Sequence, residues 1–188
     1  MLIKRKTVHL VRNLLNILQI INDLENEFVH KGGTAINLFY TDMPRLSVDI
    51  DLTYNRINTR EEAKNSFKIF FKELDIRLKE HLHYTMNINI TEDGFVNKGI
   101  ITTPAGFIKV EPNIVVRGTL TETETKNVLP EAFGKLGIEM EAKCLAKKEV
   151  YAGKACAALD RQHPRDLYDI YGFLKEKENL ENCFEMLF

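Results

Sequence analysis

Two acidic residues separated by one position, Asp49 and Asp51, have the spacing in this sequence that most directly indicates chemistry. They lie in the segment 48–52, whose strict alternation predicts a β-strand with both carboxylates on one face. Two neighbouring carboxylates without a cation nearby in the sequence repel one another, and a divalent metal ion relieves that repulsion. Because the candidate ligands are all oxygen atoms, the pair favours Mg²⁺ or Mn²⁺.

A glycine-containing turn precedes this predicted strand. Gly32 and Gly33 are followed by Thr34 and then by an apolar run, which predicts the start of a helix with Thr34 as its N-cap. Backbone N–H groups in such a turn can approach an anion closely, the helix N-terminus adds partial positive charge, and the Thr34 hydroxyl adds a donor. A phosphate-binding turn beside a metal-binding acid pair is the arrangement that nucleotidyl transfer requires.

Hydrophobic periodicity predicts the elements that position these residues. The resulting order is typical of an α+β or α/β domain with a mixed β-sheet, flanked by helices and followed by a helical C-terminal segment. We expect a core at 1–137 and the helical segment at 138–188. The predicted helices cover 5–25, 59–82 with Thr59 near the N-cap, 139–161 with a break near Gly153, and 164–177. The predicted strands cover 27–31, 48–52, 84–91, 98–103 and 107–116, and the last two should form a hairpin. Residues 117–137 show no clear pattern.

Length and composition exclude several classes of protein. The 188 residues are enough for one domain with its own core. The formal net charge of −1 excludes a generally basic nucleic-acid coat, so any contact with nucleic acid needs a local basic patch. We expect no membrane span and no signal peptide, because the apolar stretches are short. The three cysteines lack a CxxC spacing, which indicates reduced thiols in a cytoplasmic protein.

A second interpretation of the acidic pair is less favourable. The segment Asp49–Thr53 also has the DxDxT spacing of haloacid-dehalogenase-type phosphohydrolases, in which the first aspartate is a nucleophile. That fold requires the motif on a fully buried parallel strand with an apolar run before it. Here residues 44–47 are Pro-Arg-Leu-Ser, and no second acid motif of that type follows. Glycine pairs and DxD spacings are also common in ordinary turns and solvated strands, so only their combination indicates a site.

The order of a glycine turn, a helix start and DxD on the next strand resembles the polymerase-β-type nucleotidyltransferase superfamily. In that superfamily a third carboxylate on a later strand completes the metal site. Glu111 is the candidate here, because alternation places Phe107, Lys109 and Glu111 on one face of the segment 107–111. Glutamate stands here where aspartate is usual in the superfamily, and its longer side chain can still reach a metal ion.

Two further segments are similar to the AbiEii family of nucleotidyltransferase-like toxins, to which the MenT toxins are related. The run 44–52, PRLSVDIDL, matches the family's R-x-S-x-D-[IL]-D-L form. The run 152–170, AGKACAALDRQHPRDLYDI, resembles the family's C-terminal segment with its lysine, arginines and aspartates. The resemblance extends from about residue 29 to residue 170, and its four motifs occur in the family's order.

The resemblance implies a role for each matching residue. Gly32, Gly33 and Thr34 would hold the triphosphate of an NTP, and Arg45 and Ser47 would order the DxD segment or contact phosphate. Lys154 would contact the nucleotide phosphates. The catalytic set that the resemblance implies contains Asp49, Asp51 and Glu111 as metal ligands, together with Lys154 and Asp166.

Two functions of different classes follow from these motifs. The first is a Mg²⁺-dependent nucleotidyltransferase that moves NMP from an NTP onto an acceptor, and the family resemblance implies that this acceptor is RNA, at a tRNA 3′ end. As a toxin it would have a cognate antitoxin protein as a partner. The second is a non-catalytic module of the same fold that binds a nucleotide or a partner protein.

Overall fold

The structure is a computed structural model that describes residues 5–41, 47–130 and 138–175, with side chains from residue 8 onward. In these ranges, helices alternate with strands along most of the chain. The helices are α1 (Arg5–Asp23), α2 (Gly32–Ala35, continued by a π-helical turn Ile36–Tyr40), α3 (Arg60–Leu82), α4 (Lys147–Arg161) and α5 (Pro164–Lys175). The strands are β1 (Phe28–Lys31), β2 (Ile50–Tyr54), β3 (Thr85–Ile90), β4 (Val96–Thr103), β5 (Gly106–Asn113), β6 (Glu124–Asn127) and β7 (Glu141–Cys144).

The strands form one mixed, seven-stranded sheet in the order β3-β4-β5-β2-β1-β7-β6. The pairs β2–β5 and β1–β7 are parallel, and β1–β2, β3–β4, β4–β5 and β6–β7 are antiparallel. The predicted α+β class is therefore confirmed, as is the predicted hairpin of β4 and β5. β2 has one parallel and one antiparallel neighbour, which differs from the parallel setting that the phosphohydrolase interpretation needed.

Alternation along β1 explains how helices cover both faces of the sheet. Phe28 packs into a large core with α1, α3 and the central strands, whereas Val29 packs on the opposite face against α2, α4 and α5. Successive side chains of a strand point to opposite faces, so each of these strand residues serves a different layer. On the α4–α5 side, the rings of Tyr151 and Phe173 stack with centroids 4.0 Å apart.

Helix α3 follows the sequence prediction closely. Thr59 caps its N-terminus through a capping box with Glu62, and both acidic residues of the first turn suit the helix dipole. The helix ends at His83, which adopts the left-handed conformation with φ of 56°. The predicted apolar stripe is buried against the sheet and α1: Phe67, Phe70, Phe71, Leu74 and Leu78.

The prediction of a helix from residue 139 is wrong in its first part. Residues 141–144 form strand β7, which pairs with β1 and β6, and only 147–161 is helical. Ala142 and Cys144 are buried and Glu141 and Lys143 are exposed, which is a strand pattern that helix-favouring residue types obscure. Helix α4 also runs through Gly153 without a break. The boundary between the core and the helical C-terminal segment at residue 137 stays a prediction. Strand β7 follows this boundary in the sequence but belongs to the core sheet.

The prediction for the DxD strand needs a smaller correction. The strand begins at Ile50, two residues later than expected, so Asp49 lies just before β2 and Asp51 within it. Strand β6 was missed altogether, because its residues Glu-Thr-Lys-Asn are all polar and show no hydrophobic alternation. The end of the predicted last helix, beyond residue 175, lies outside the described residues.

The expectations about membranes and cysteines can be compared with the described ranges. None of the helices described there is long and apolar enough to cross a bilayer. Cys144 is buried and Cys156 is exposed, and both are free thiols. Cys183 lies outside the described residues.

His30 of β1 is a buried titratable group, 4% exposed, with its Nε2 atom 3.1 Å from Asn22 Oδ1. Burial lowers its pKa to about 4. Unfolded His30 titrates near 6.5, so between pH 6.5 and 4 the unfolded state binds more protons and stability falls as the pH falls. This residue contributes a loss of about 2–3 kcal/mol over that window.

We therefore expect His30→Gln to show a weaker loss of unfolding free energy than the wild type between pH 7 and 4. Urea unfolding at several pH values measures this difference, and His9→Gln on the exposed face of α1 is the matched control. Parallel pH profiles for the wild type and His30→Gln would contradict the assignment of a buried neutral imidazole.

Candidate active site

The five residues of the predicted catalytic set meet in one polar cleft of about 160 Å³, together with Gly33 and Ser47. The cleft lies where α2 begins and where β2 and β5 run side by side, and the α4–α5 connection forms its other wall. Each wall therefore comes from a different part of the sequence. The described residues that line the cleft are Gly33, Ser47, Asp49, Asp51, Glu111, Lys154, Arg161, His163, Arg165 and Asp166.

The acidic wall is built by strand pairing. The parallel register of β2 and β5 places Asp51 directly beside Glu111, although sixty positions separate them in the sequence. Burial raises the pKa of Asp51 to about 6; the nearby Lys31 and Lys154 lower it, and the carboxylates of Glu111 and Asp49 raise it further. The carboxylates therefore interact electrostatically, as expected for side chains that share one face of a sheet.

The glycine turn packs directly against this acidic wall. Gly32 has a φ of 72°, and a Cβ atom built on it would lie 2.1 Å from Asp51 Oδ2. Only glycine fits here, because the backbone is left-handed and the carboxylate of Asp51 occupies the space of a side chain. The turn thus fixes the position of Asp51, and it leaves the backbone of Gly33 at the cleft wall.

Thr34 has a different local role from the predicted one. Helix α2 begins at Gly32 with Lys31 as its N-cap, so the prediction that Thr34 is the N-cap is wrong. The Thr34 side chain is buried, and its hydroxyl donates to the Asp49 carbonyl at 2.5 Å and lies 3.0 Å from Ser47 Oγ. Thr34 therefore ties the glycine helix to the DxD segment, and it does not line the cleft.

The basic wall of the cleft consists of Lys154 and Arg161, which pair with the buried carboxylates of Asp166 and Asp169. Lys154 Nζ lies 2.8 Å from Asp166 Oδ1 and 3.4 Å from Asp169 Oδ2. Arg161 donates to both carboxylate oxygens of Asp166, from Nε at 2.7 Å and from a terminal nitrogen at 3.1 Å. Burial by itself raises the pKa of Asp166, but the hydrogen bonds from Arg161 and Lys154 outweigh it and lower that pKa to about 2. Asp166 therefore positions two cations at the cleft.

The placement of the predicted residues is uneven. Lys154 reaches the cleft that Gly33 lines, which the sequence could only suggest through family resemblance. Arg45 lies outside the described residues. Sequence reasoning assigned no individual role to Arg165, which lines the cleft, and it missed Lys31, a half-buried lysine paired in register with Asp51. Its position directly before Gly32 was the available signal.

A family model described as "Nucleotidyl transferase AbiEii toxin, Type IV TA system" matches residues 16–187. This match covers most of the sequence. The chain belongs to the AbiEii nucleotidyltransferase toxin family. No match to a curated protein sequence is found.

Solved structures share the fold of this AbiEii-family chain. MenT4, a nucleotidyltransferase toxin from Mycobacterium tuberculosis H37Rv, superposes with a TM-score of 0.66 at 18% identity, over 92% of this chain and 61% of its own. The chain thus spans about three fifths of the length of MenT4. The antibiotic-resistance factor ANT(2'')-Ia superposes with a TM-score of 0.54 at 14% identity, over 96% of this chain and 88% of its own. At these identities the likeness concerns the fold.

AbiEii membership implies a divalent metal ion, and the cleft can be tested for its fit. Among the described residues, no three His, Cys, Asp or Glu side chains converge into a ready metal site. The donor set nevertheless suits a hard cation, because it offers only carboxylate oxygens. Within the described ranges, Asp49 and Asp51 have no ion-pair partner. The residues therefore fit such an ion chemically, and Asp49, Asp51 and Glu111 stay the predicted ligands.

The close approach of Gly32 to Asp51 leads to a stability prediction. We expect Gly32→Ala to lower the unfolding free energy by about 2–4 kcal/mol, because the new methyl group collides with the carboxylate and the backbone is left-handed. Gly153→Ala in helix α4 is the control, since a Cβ there meets no atom within 4 Å and should stabilise the helix by about 0.5–1 kcal/mol. Urea unfolding of both variants decides the matter, and equal stabilities would contradict this account of the turn.

Proposed function

We propose that this chain is a Mg²⁺-dependent nucleotidyltransferase that moves NMP from an NTP onto an RNA acceptor, namely a tRNA 3′ end. The observation that carries the proposal is the cleft itself. It combines the backbone of a glycine turn, three carboxylates and a lysine held by buried aspartates. These are the groups needed to hold a triphosphate beside a divalent cation.

The basic wall suits the triphosphate. Asp166 holds the compact ammonium group of Lys154 and the planar guanidinium group of Arg161 at the cleft. Because both side chains are already fixed, they lose little conformational freedom when they bind phosphate. The backbone of Gly33 at the start of α2 supplies further positive potential. We assign these groups to the phosphates of the NTP.

The acidic wall suits the reacting centre. The acceptor hydroxyl loses its proton to solvent water and its oxygen attacks the α-phosphorus of the NTP. The bond from that phosphorus to the bridging oxygen of pyrophosphate breaks, and pyrophosphate leaves. Asp49, Asp51 and Glu111 would hold Mg²⁺, which when bound lowers the pKa of the acceptor hydroxyl and stabilises the leaving pyrophosphate. The lysine and arginine of the basic wall then neutralise charge on that leaving group.

The acceptor and the partner are further parts of this proposal. His163 and Arg165 are exposed at the edge of the cleft, beside Arg161, and they form a local basic rim in a chain of net charge −1. Such a rim can contact the backbone phosphates of an RNA end. Because the family is described as the toxin of a type IV system, we propose a cognate antitoxin protein as partner and the cytoplasm as the site of action.

The second candidate is a nucleotide- or partner-binding module without turnover. The absence of a ready three-carboxylate metal site in the described residues favours it. Retention of all three acidic residues at the cleft favours the enzyme instead, since a binding module has no need for clustered, mutually repelling carboxylates.

Transfer of label from NTP to RNA distinguishes the two. Each α-³²P-labelled NTP is incubated with the protein, Mg²⁺ and either total RNA or purified tRNA. We expect labelled RNA from at least one NTP, no label with Asp51→Asn, and normal label with the exposed control Asp23→Asn. Tight NTP binding without labelled RNA for any of the four NTPs would support the binding module.

A further inference from the structure

The third acidic residue of the cleft has a partner of its own. Glu111 Oε1 lies 2.7 Å from Lys98 Nζ, and about one third of each side chain is exposed. Lys98 is on β4, where the antiparallel register pairs Gly99 with Val110 and so places residue 98 across from residue 111. A row of charges therefore crosses three strands, from Asp51 on β2 to Glu111 on β5 and then to Lys98 on β4.

We propose that Lys98 is an internal counter-cation that competes with the divalent metal ion for Glu111. The inference rests on the proposed metal-dependent function and adds a positioning residue to it. Lys98 holds the Glu111 carboxylate in the metal-free protein, and a metal ion must take that carboxylate from Lys98.

Two structural features support this competition. Without a cation, Glu111 would add a third negative charge beside Asp49 and Asp51, and an ammonium group on the adjacent strand offsets that repulsion. The ion pair is also partly exposed, and such pairs contribute little net stability, so a divalent ion can displace the lysine at modest cost. The pairing of Glu111 with Lys98 is consistent with the absence of a ready three-ligand site in the described residues.

A second lysine provides a matched control. Lys109 is exposed on the same strand as Glu111, two residues away and on the same face. Removing Lys109 changes the net charge as much as removing Lys98 does, but one strand repeat farther from the Glu111 carboxylate. A difference between the two variants therefore reports the specific ion pair.

The experiment measures Mn²⁺ binding by electron paramagnetic resonance, without nucleotide or RNA, to the wild type, Lys98→Met and Lys109→Met. We expect Lys98→Met to bind Mn²⁺ roughly tenfold more tightly than the wild type and Lys109→Met to change the affinity by less than about twofold. Lys98→Arg should retain affinity near that of the wild type, because the guanidinium still pairs with Glu111. Lys98→Gln replaces Lys98→Met if the methionine variant does not fold.

The outcomes separate this inference from the proposed function. If the wild type binds Mn²⁺ and Lys98→Met binds it equally or more weakly, the competition is overturned while metal dependence stands. If Lys98→Met and Lys109→Met tighten binding equally, the effect is general electrostatics and the inference also fails. If none of the proteins binds Mn²⁺ at millimolar concentration, the competition is overturned, and RNA labelling with and without Mg²⁺ then tests the metal-dependent function separately.

Discussion

Replacing Asp51 by asparagine is expected to lower kcat/KM for RNA labelling by at least about a thousandfold while the fold stays intact. Asp51 is held between the glycine turn and Glu111, so its carboxylate has one fixed position at the cleft. Asparagine has nearly the same shape, but it cannot supply the charge that a hard divalent cation needs. The measurement is the initial rate of transfer from the labelled NTP, with the exposed Asp23→Asn as control.

The same variant has an expected effect on stability. The pKa of Asp51 is raised to about 6 in the folded protein, chiefly by burial, against 3.8 for the free group. The folded state therefore binds more protons than the unfolded state between these values, and this residue lowers stability as the pH rises through that window. At pH 7 the free energy of unfolding of Asp51→Asn should equal that of the wild type or exceed it by about 1–2 kcal/mol.

Two results would contradict these expectations for Asp51. Retained labelling of RNA by Asp51→Asn would exclude this carboxylate as a metal ligand. A clear loss of stability at pH 7 would show that its charge is favourable in the folded protein, so that the nearby Lys31 and Lys154 outweigh burial. Urea unfolding of the metal-free proteins provides the second measurement.

Replacing Lys154 by methionine is expected to weaken NTP binding by about ten- to a hundredfold, because a charge-assisted contact with phosphate is lost. It should also lower the unfolding free energy by about 2–4 kcal/mol, since the buried carboxylates of Asp166 and Asp169 lose a cation. Binding is measured by isothermal titration calorimetry and stability by urea unfolding. Lys72→Met on the exposed part of α3 is the control for removing a lysine.

A second substitution separates the two effects of Lys154. In Lys154→Met/Asp166→Asn one of the two carboxylates that lose this cation is also removed, so the stability loss should be smaller than the sum of the single losses. NTP binding should stay weak, because the cation at the cleft is still missing. An unchanged NTP affinity in Lys154→Met would show that Lys154 serves only to pair the aspartates.

Local sequence patterns were sufficient to predict much of the sheet and the long helix α3. The stripe of α3 repeats at helical spacing, Thr59 and Glu62 form the expected capping box, and both follow from interactions within a few residues. The motif 48–52 likewise placed Asp49 and Asp51 close together, because alternation depends only on the backbone of the strand itself.

Patterns failed where the partner element decides the conformation. Residues 141–144 read as helix from their types, yet β1 offers an unpaired parallel edge and β6 pairs on the other side, so they form β7. Thr34 was expected to cap a helix, and instead its hydroxyl donates to the Asp49 carbonyl fifteen positions later. Neither outcome is visible in a local window, because the deciding hydrogen bonds come from distant residues.

By itself, the sequence indicated the residue types of the candidate site: a glycine turn, a DxD pair, a later glutamate and a basic C-terminal segment. Only the tertiary structure decided which of them meet. Parallel pairing of β2 and β5 sets Asp51 beside Glu111, the packing of α4 and α5 brings Lys154 to the same cleft, and Lys98 pairs with Glu111. The physical reason is that these contacts depend on strand register and helix packing, which the whole core fixes together.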